Sequence, residues 1–233
     1  MDADKWWQKV NKSESAAPEA DVVTEETIRH LNRVEQVIEQ TKGVLARHGF
    51  PDDLRTVMVI GFITQMIEHH EAMLLLVRNE KVGSAFALAR SVFESMYRGL
   101  WINACATNEQ IAAFEQDDEL PVNMTQMARA IDELHQAQGF FTDLKNRGWA
   151  GLCSYTHTGL LQLGRRFTDD NVGPSYRDGE IFEVTTTVTT CILLLVGRFL
   201  IVQNHGDDSR EVEALNRTYG PVAQRNAARS AQG

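Results

Sequence analysis

Between residues 21 and 219 the apolar positions recur every three to four residues, the period of α-helices that bury one face. The first helix is predicted to begin near Thr24, where Glu25 and Glu26 sit at the positive end of the helix dipole, and to stop at His48-Gly49-Phe50-Pro51. A second follows Pro51, with Asp52 or Asp53 as N-cap, and runs to about Asn79. A third covers roughly Ser84 to Cys105, and Thr107-Asn108-Glu109-Gln110 has the capping-box pattern that opens a short fourth. Another follows Pro121 through MARAIDELHQA. The segment from Thr142 to about Phe167 is helical but broken by glycines. A loop, TDDNVGPSYRDG, leads to a long helix from about Glu180 to Asn204, and DDSREVEALNR makes a final short one. The run VTTTVTT favours a strand by its β-branching, but the length of its segment and the lack of turn signals favour a helix.

These elements predict an all-α protein, an antiparallel bundle of about six to eight helices. One domain spans residues 21–219, between a mobile N-terminal tail (1–20) and a disordered C-terminal tail (220–233). Trp6 and Trp7 are out of place in a polar tail, and their role is open. No internal repeat is present. The most apolar stretch, CILLLVGRFLIV, is short for a bilayer and contains Arg198, so it reads as a buried helix and no membrane association is expected.

Helical phase places charged groups on apolar stripes. His70 lies among Val59, Ile63, Met66, Met73 and Val77; Arg90 lies among Phe86, Phe93, Tyr97 and Leu100, with Glu94 at the edge of that face, one turn on. Arg198 shares a face with Val184, Cys191, Leu195 and Val202, and His205 follows one heptad later. A charge on a core face is paired or lines a wet cavity. Arg90 and Glu94 therefore stitch neighbouring helices, or Arg90, Glu94, His70, His157 and Arg198 converge on one polar pocket. On the buried-pair reading, Glu94→Ala costs about 3–5 kcal/mol.

The formal net charge of −9 argues against an extended nucleic-acid surface, yet residues 144–168 hold no Asp or Glu. Lys145, Arg147, Arg165 and Arg166 make a local basic strip there, around His157 and the hydroxyls of Ser154, Tyr155, Thr156 and Thr158. An imidazole with cationic neighbours suits acid–base work on a phosphodiester, or the binding of an anion. The structural alternative is a histidine that crosslinks helices beside a solvated basic face. Cys105, Cys153 and Cys191 are an odd number, far apart and without metal spacing, which points to a reducing cytoplasm. No nucleotide-binding glycine pattern appears, IEHHEAM lacks the paired Glu-x-x-His of di-iron bundles, and no cofactor or metal is expected.

ALARSVFESMYRGLW (87–101), followed by WAGLCSYTHTGLLQLGRR (149–166), resembles a group of uncharacterised bacterial all-helical proteins. Their pattern is an Arg-Ser-x-Phe/Leu-Glu helix, then Ser-x-x-His-x-Gly, here carried by Arg90, Ser91, Glu94, Ser154, His157 and Gly159. The group is similar to the HEPN superfamily of helical nucleases and defence or toxin proteins. The resemblance implies a homodimer in a bacterial stress or phage-defence setting. HEPN ribonucleases carry an Arg, four to six residues, then a His. Arg129–His135 and Arg198–His205 fit, the second pair sharing a helix face. Phe199 stands where those nucleases tend to have a polar residue, and His205 precedes Gly206.

Two functions follow. One is a non-catalytic module that binds a partner protein or an anionic ligand, with Arg147, Ser154, Tyr155, Arg165, Arg166 and His70 as binding candidates. The other is a metal-independent ribonuclease. There His157 or His205 moves the proton, Arg90, Arg147 or Arg198 stabilises the phosphorane, and Glu94 orients its arginine.

Overall fold

Thr24 opens the first helix by accepting from Thr27 N–H, and Asp53 opens the second by accepting from Thr56 N–H. The computed structural model describes residues 23–117, 119–166 and 173–219. The predicted tails, with Trp6 and Trp7, lie outside the described residues. The helices are α1 (Glu25–Leu45), α2 (Leu54–Arg78), α3 (Val82–Ala104), α4 (Asn108–Asp117), α5 (Met124–His135), α6 (Phe140–Thr156), α7 (Leu160–Gly164), α8 (Asp178–Val202) and α9 (Gly206–Tyr219). The expectation of an all-α bundle holds, with nine helices and no strand among the described residues. The count exceeds six to eight because the glycine-broken segment divides at Thr158, whose positive φ of 52° separates α6 from α7.

The side-chain pairings give the helix directions. Lys42 pairs with Glu71, and Arg78 with Glu35, so α1 and α2 run antiparallel. His70 meets Thr189 while Gln203 meets Thr56, so α8 opposes α2. Along α1, Thr27 meets Asp178 and His30 meets Thr185, so α8 runs in the same sense as α1. The long crossover between α3 and α8 makes this arrangement possible.

α8 is the central helix. Its apolar run reaches back through VTTTVTT to make 25 residues, long and apolar enough to cross a membrane by length and composition. The expectation that it is too short is therefore corrected: the threonine run extends it. In the fold, α8 packs against α1, α2, α3 and α9. The β-branched run stays helical because its Thr185, Thr186, Val188 and Thr189 face is buried against neighbouring helices, and two of its hydroxyls are satisfied within the helix. Thr185 donates to Ile181 C=O at 2.7 Å and Thr189 to Thr185 C=O at 2.8 Å. Each hydroxyl then accepts a histidine Nε2–H, from His30 at 2.8 Å and from His70 at 3.0 Å. His70 is 1% exposed, so it is a core residue that ties α2 to α8. Gly99 lets α3 and α8 approach, since a Cβ there would meet a Leu195 methyl at 2.6 Å.

α5 and α6 are joined by one buried carboxylate. Asp132 accepts from Phe141 N–H (2.8 Å), Thr142 N–H (2.9 Å) and the Thr142 hydroxyl (2.7 Å). Tyr97 of α3 donates to Phe141 C=O at 2.6 Å. These bonds hold α6 against α3 and so set where its C-terminal end falls.

Candidate functional site

The C-terminal end of α6 falls beside Arg90. His157 is the C-cap residue of α6, its N–H bonded to Cys153 C=O, and its side chain lies at the surface. Arg90 Nη1 donates to His157 Nε2. A guanidinium has no lone pair to offer, so Nε2 is the acceptor and the ring proton sits on Nδ1. The Arg90 guanidinium also lies 4.9 Å from the centroid of the Trp149 ring, a cation–π contact within α6's reach. Its Nε is buried with no hydrogen-bond partner in the structure.

Gly159 shapes the corner that presents His157. It follows Thr158, whose backbone is left-handed, and a Cβ at 159 would come within 2.4 Å of Ser154 Oγ. Ser154 accepts Gly159 N–H at its carbonyl (2.7 Å) and Leu161 N–H at its hydroxyl (3.1 Å). The Ser-x-x-His-x-Gly segment is thus a tight helix–turn–helix corner in which Ser154 and Gly159 hold the turn and His157 points to α3.

Glu94 pairs with Arg90 as expected, but at long range and without the burial expected of the pair. It bonds Arg98 at 2.7 Å, while its nearest approach to Arg90 is 4.0 Å. Both Arg90 and Glu94 are half-buried, with side chains 22% and 30% exposed. Arg90 lies at the margin of the buried face of α3, where α6 covers it with Trp149 and leaves it part-exposed. Glu94→Ala is accordingly expected to lower stability by less than about 1 kcal/mol, the range of an accessible ion pair. A thermal melt showing a loss of several kcal/mol would restore the buried-pair reading.

The other candidates are dispersed. His70 is in the core on Thr189. Arg147 is 83% exposed and faces Asp143 at 3.6 Å. Arg165 pairs with Glu180 and lies beside Tyr155, and Tyr155 packs edge-on against Phe86. Carboxylates from outside residues 144–168 therefore neutralise part of the basic strip. Arg166 lies over Gly83, near Tyr176.

Arg198 and His205 do not meet as one helical face. α8 ends at Val202, and Asn204 turns left-handed at φ 63°, which carries His205 away from the heptad position. His205 stacks on His48, with ring centroids 3.7 Å apart. Arg198 lies instead near His135 of α5, whose pKa is lowered by burial and then by the Arg198 charge. Leu195, one turn before Arg198, packs on Gly99. Gly99 is nine residues, or about 13 Å, along α3 from Arg90. No single pocket gathers Arg90, Glu94, His70, His157 and Arg198.

A family of unknown function, DUF6988, matches residues 63–224. The chain belongs to it. The match begins within α2 and runs through α9, so the DUF6988 region contains Arg90, Trp149, Ser154, His157 and Gly159. No curated protein and no solved structure matches this DUF6988 member. Sequence reasoning found Arg90 and His157 but missed Trp149 as the cover of Arg90, although it stands eight residues before His157. It also missed His48 and Asp208, which are 160 residues apart and meet only through the packing of α1 on α9.

Proposed function

We propose that this chain is a non-catalytic recognition module whose α3–α6 corner binds an anionic group carried by a partner protein. The contact between Arg90 and His157 carries the reading. It joins residues 67 positions apart and leaves further N–H donors for a ligand: the Nη N–H groups of Arg90 not given to His157, and Nδ1–H of His157. Glu94 divides its oxygens, Oε1 bonded to Arg98 at 2.7 Å and Oε2 4.0 Å from Arg90, so the Arg90 charge is met only by a long ion pair. Beside the corner, α7 exposes Leu160 (83%), Leu161 and Leu163 (each 51%). Apolar side chains next to a cationic corner suit an acidic or phosphorylated segment of a protein that also offers apolar residues.

The setting is part of the proposal. Three free cysteines support a reducing cytoplasm. The resemblance to HEPN proteins supports a bacterial stress or defence role, and a homodimeric state.

One observation favours the ribonuclease reading: the same contact supplies an imidazole beside a cation. Yet Nε2, the lone pair a general base needs, is taken by Arg90, so cleavage would first have to break that bond. Binding is the better account.

Orthophosphate is the direct probe, read by the ring resonances of His157 and by Trp149 fluorescence. Binding is expected in the wild type and at least about tenfold weaker in Arg90→Gln, as fits loss of a charge-assisted contact of 1.5–3 kcal/mol. The thermal midpoint should hardly move. A single-stranded RNA incubated with the wild type should stay intact. Equal phosphate affinity in Arg90→Gln overturns the binding site, and RNA cleavage that disappears in a folded His157→Ala variant replaces it with the nuclease.

A further inference from the structure

The helix ends far from this corner bring together two histidines and a carboxylate. His48 lies in the turn after α1, His205 stands just before α9, and Asp208 is in the first turn of α9. Their ligand atoms all lie within 4.8 Å of one another. His48 Nε2 is 3.0 Å from Asp208 Oδ2, and the His205 ring lies nearly parallel to that of His48, at 21°.

We propose that His48, His205 and Asp208 form a binding site for a divalent transition metal of the zinc class. Two imidazoles and one carboxylate, with a fourth position left to water, are a donor set that such ions take. Three features of the surroundings fit a ligating role. Asp208 offers Oδ2 to the group while Oδ1 accepts from Arg47 at 2.9 Å, so the carboxylate is already oriented from behind. Arg47 is held in turn by both carboxylate oxygens of Glu211, at 2.7 and 3.0 Å. Phe50 lies 6.0 Å from each imidazole and 4.9 Å from Phe199, so the site has an apolar floor.

The backbone also fixes the histidine that would move. His205 N–H donates to Leu200 C=O at 2.8 Å, and His205 C=O accepts from Ser209 N–H at 3.0 Å. Only its ring is left to adjust. Tetrahedral zinc at about 2.0–2.1 Å from each donor puts the donors about 3.3 Å apart, so the group closes by at most about 1.5 Å. Parallel rings do not aim their in-plane lone pairs at one point, so binding tilts His205 off the stack. The Nε2 proton of His48 moves to Nδ1 as the metal takes its place, which leaves the proton count of a neutral ring unchanged.

Zinc and cobalt(II) added to the full chain test the site. One equivalent of zinc is expected to bind, to raise the thermal midpoint by linkage, and to be matched by cobalt(II) with the visible bands of a tetrahedral ion. His48→Gln, His205→Gln and Asp208→Asn should each weaken binding by about tenfold or more, whereas His69→Gln and Arg90→Gln leave it unchanged. The Asp208→Asn and glutamine variants keep side-chain volume, and a melt of each checks that the fold survives. The site is overturned if zinc does not bind, if His205→Gln binds as tightly as the wild type, or if cobalt stays octahedral. Each of those results leaves a stacked imidazole pair held by Asp208 and nothing more.

Discussion

Lowering the pH from neutral towards 4 is expected to destabilise the bundle by several kcal/mol, with His30 and His70 as the main source. Burial is the first cause in both: it lowers each pKa from 6.5 to about 4, aided by Arg33 near His30 and by Arg78 near His70. Each ring donates Nε2–H to a threonine hydroxyl that spends its own proton on a carbonyl. A second ring proton would add charge to an apolar site, and His70 Nδ1 has no partner to receive it. In the unfolded chain the same rings protonate near 6.5. Between 6.5 and about 4 the unfolded state therefore binds more protons, and stability falls as the pH falls. Above 6.5 the contribution is constant. At 1.36 kcal/mol per pKa unit, each histidine contributes on the order of 3 kcal/mol across the window. Denaturant midpoints measured from pH 7 to 4.5 on wild type and His70→Gln provide the check. The variant should be less stable at pH 7 and show a shallower acid slope. Parallel slopes would mean that His70 takes up its proton without unfolding.

Asp132→Ala is expected to cost about 3 kcal/mol, the second large effect. Asp132 is 8% exposed and accepts three hydrogen bonds from the first turn of α6. Removing it strands two backbone N–H groups, one of them in the buried Phe141, and each such group costs about 1–3 kcal/mol. It also removes the anion that faces the positive end of α6. For a domain of this size the midpoint should fall by roughly 6–12 °C. Asp132→Asn keeps one acceptor oxygen and should lose about half as much. A fall under about 2 °C in Asp132→Ala would show that water replaces the carboxylate without loss. Because α6 carries Trp149 and His157, Asp132→Ala should also weaken phosphate binding at the corner, without any contact to the anion.

Most of the helices were legible in the sequence because their signals are local. Thr24, Asp53 and Thr107 cap the helices they precede, and each acts through residues three positions away. The threonine run was legible only through its length, since β-branching pointed to a strand and the hydroxyl bonds that rescue the helix lie inside the helix itself. The stripe phase found His70 correctly as a core residue. It placed Glu94 at the edge of the Arg90 face but overestimated how deeply the pair is buried, because phase tells which side of α3 a residue faces and says nothing of what covers that side. Arg98 on the next turn took the carboxylate, and Trp149 took the guanidinium.

The sequence by itself determined the all-α class, the approximate extents of the helices and the caps at Thr24, Asp53 and Thr107, because each depends on residues within a few positions of one another, whereas the corner at Thr158 that divides α6 from α7 emerged only in the structure. It also singled out Arg90 and His157. Only the tertiary structure decided which polar groups meet. Arg90 reaches His157 across 67 positions, His70 reaches Thr189 across 119, and His48 reaches Asp208 across 160. The first follows from the bonds that hold α6 against α3, and the others from the long crossover that returns α8 alongside α1 and leads on into α9. Helical periodicity carries no information across such connections, because it fixes the angle of a side chain about its own axis and leaves open which axis lies beside it.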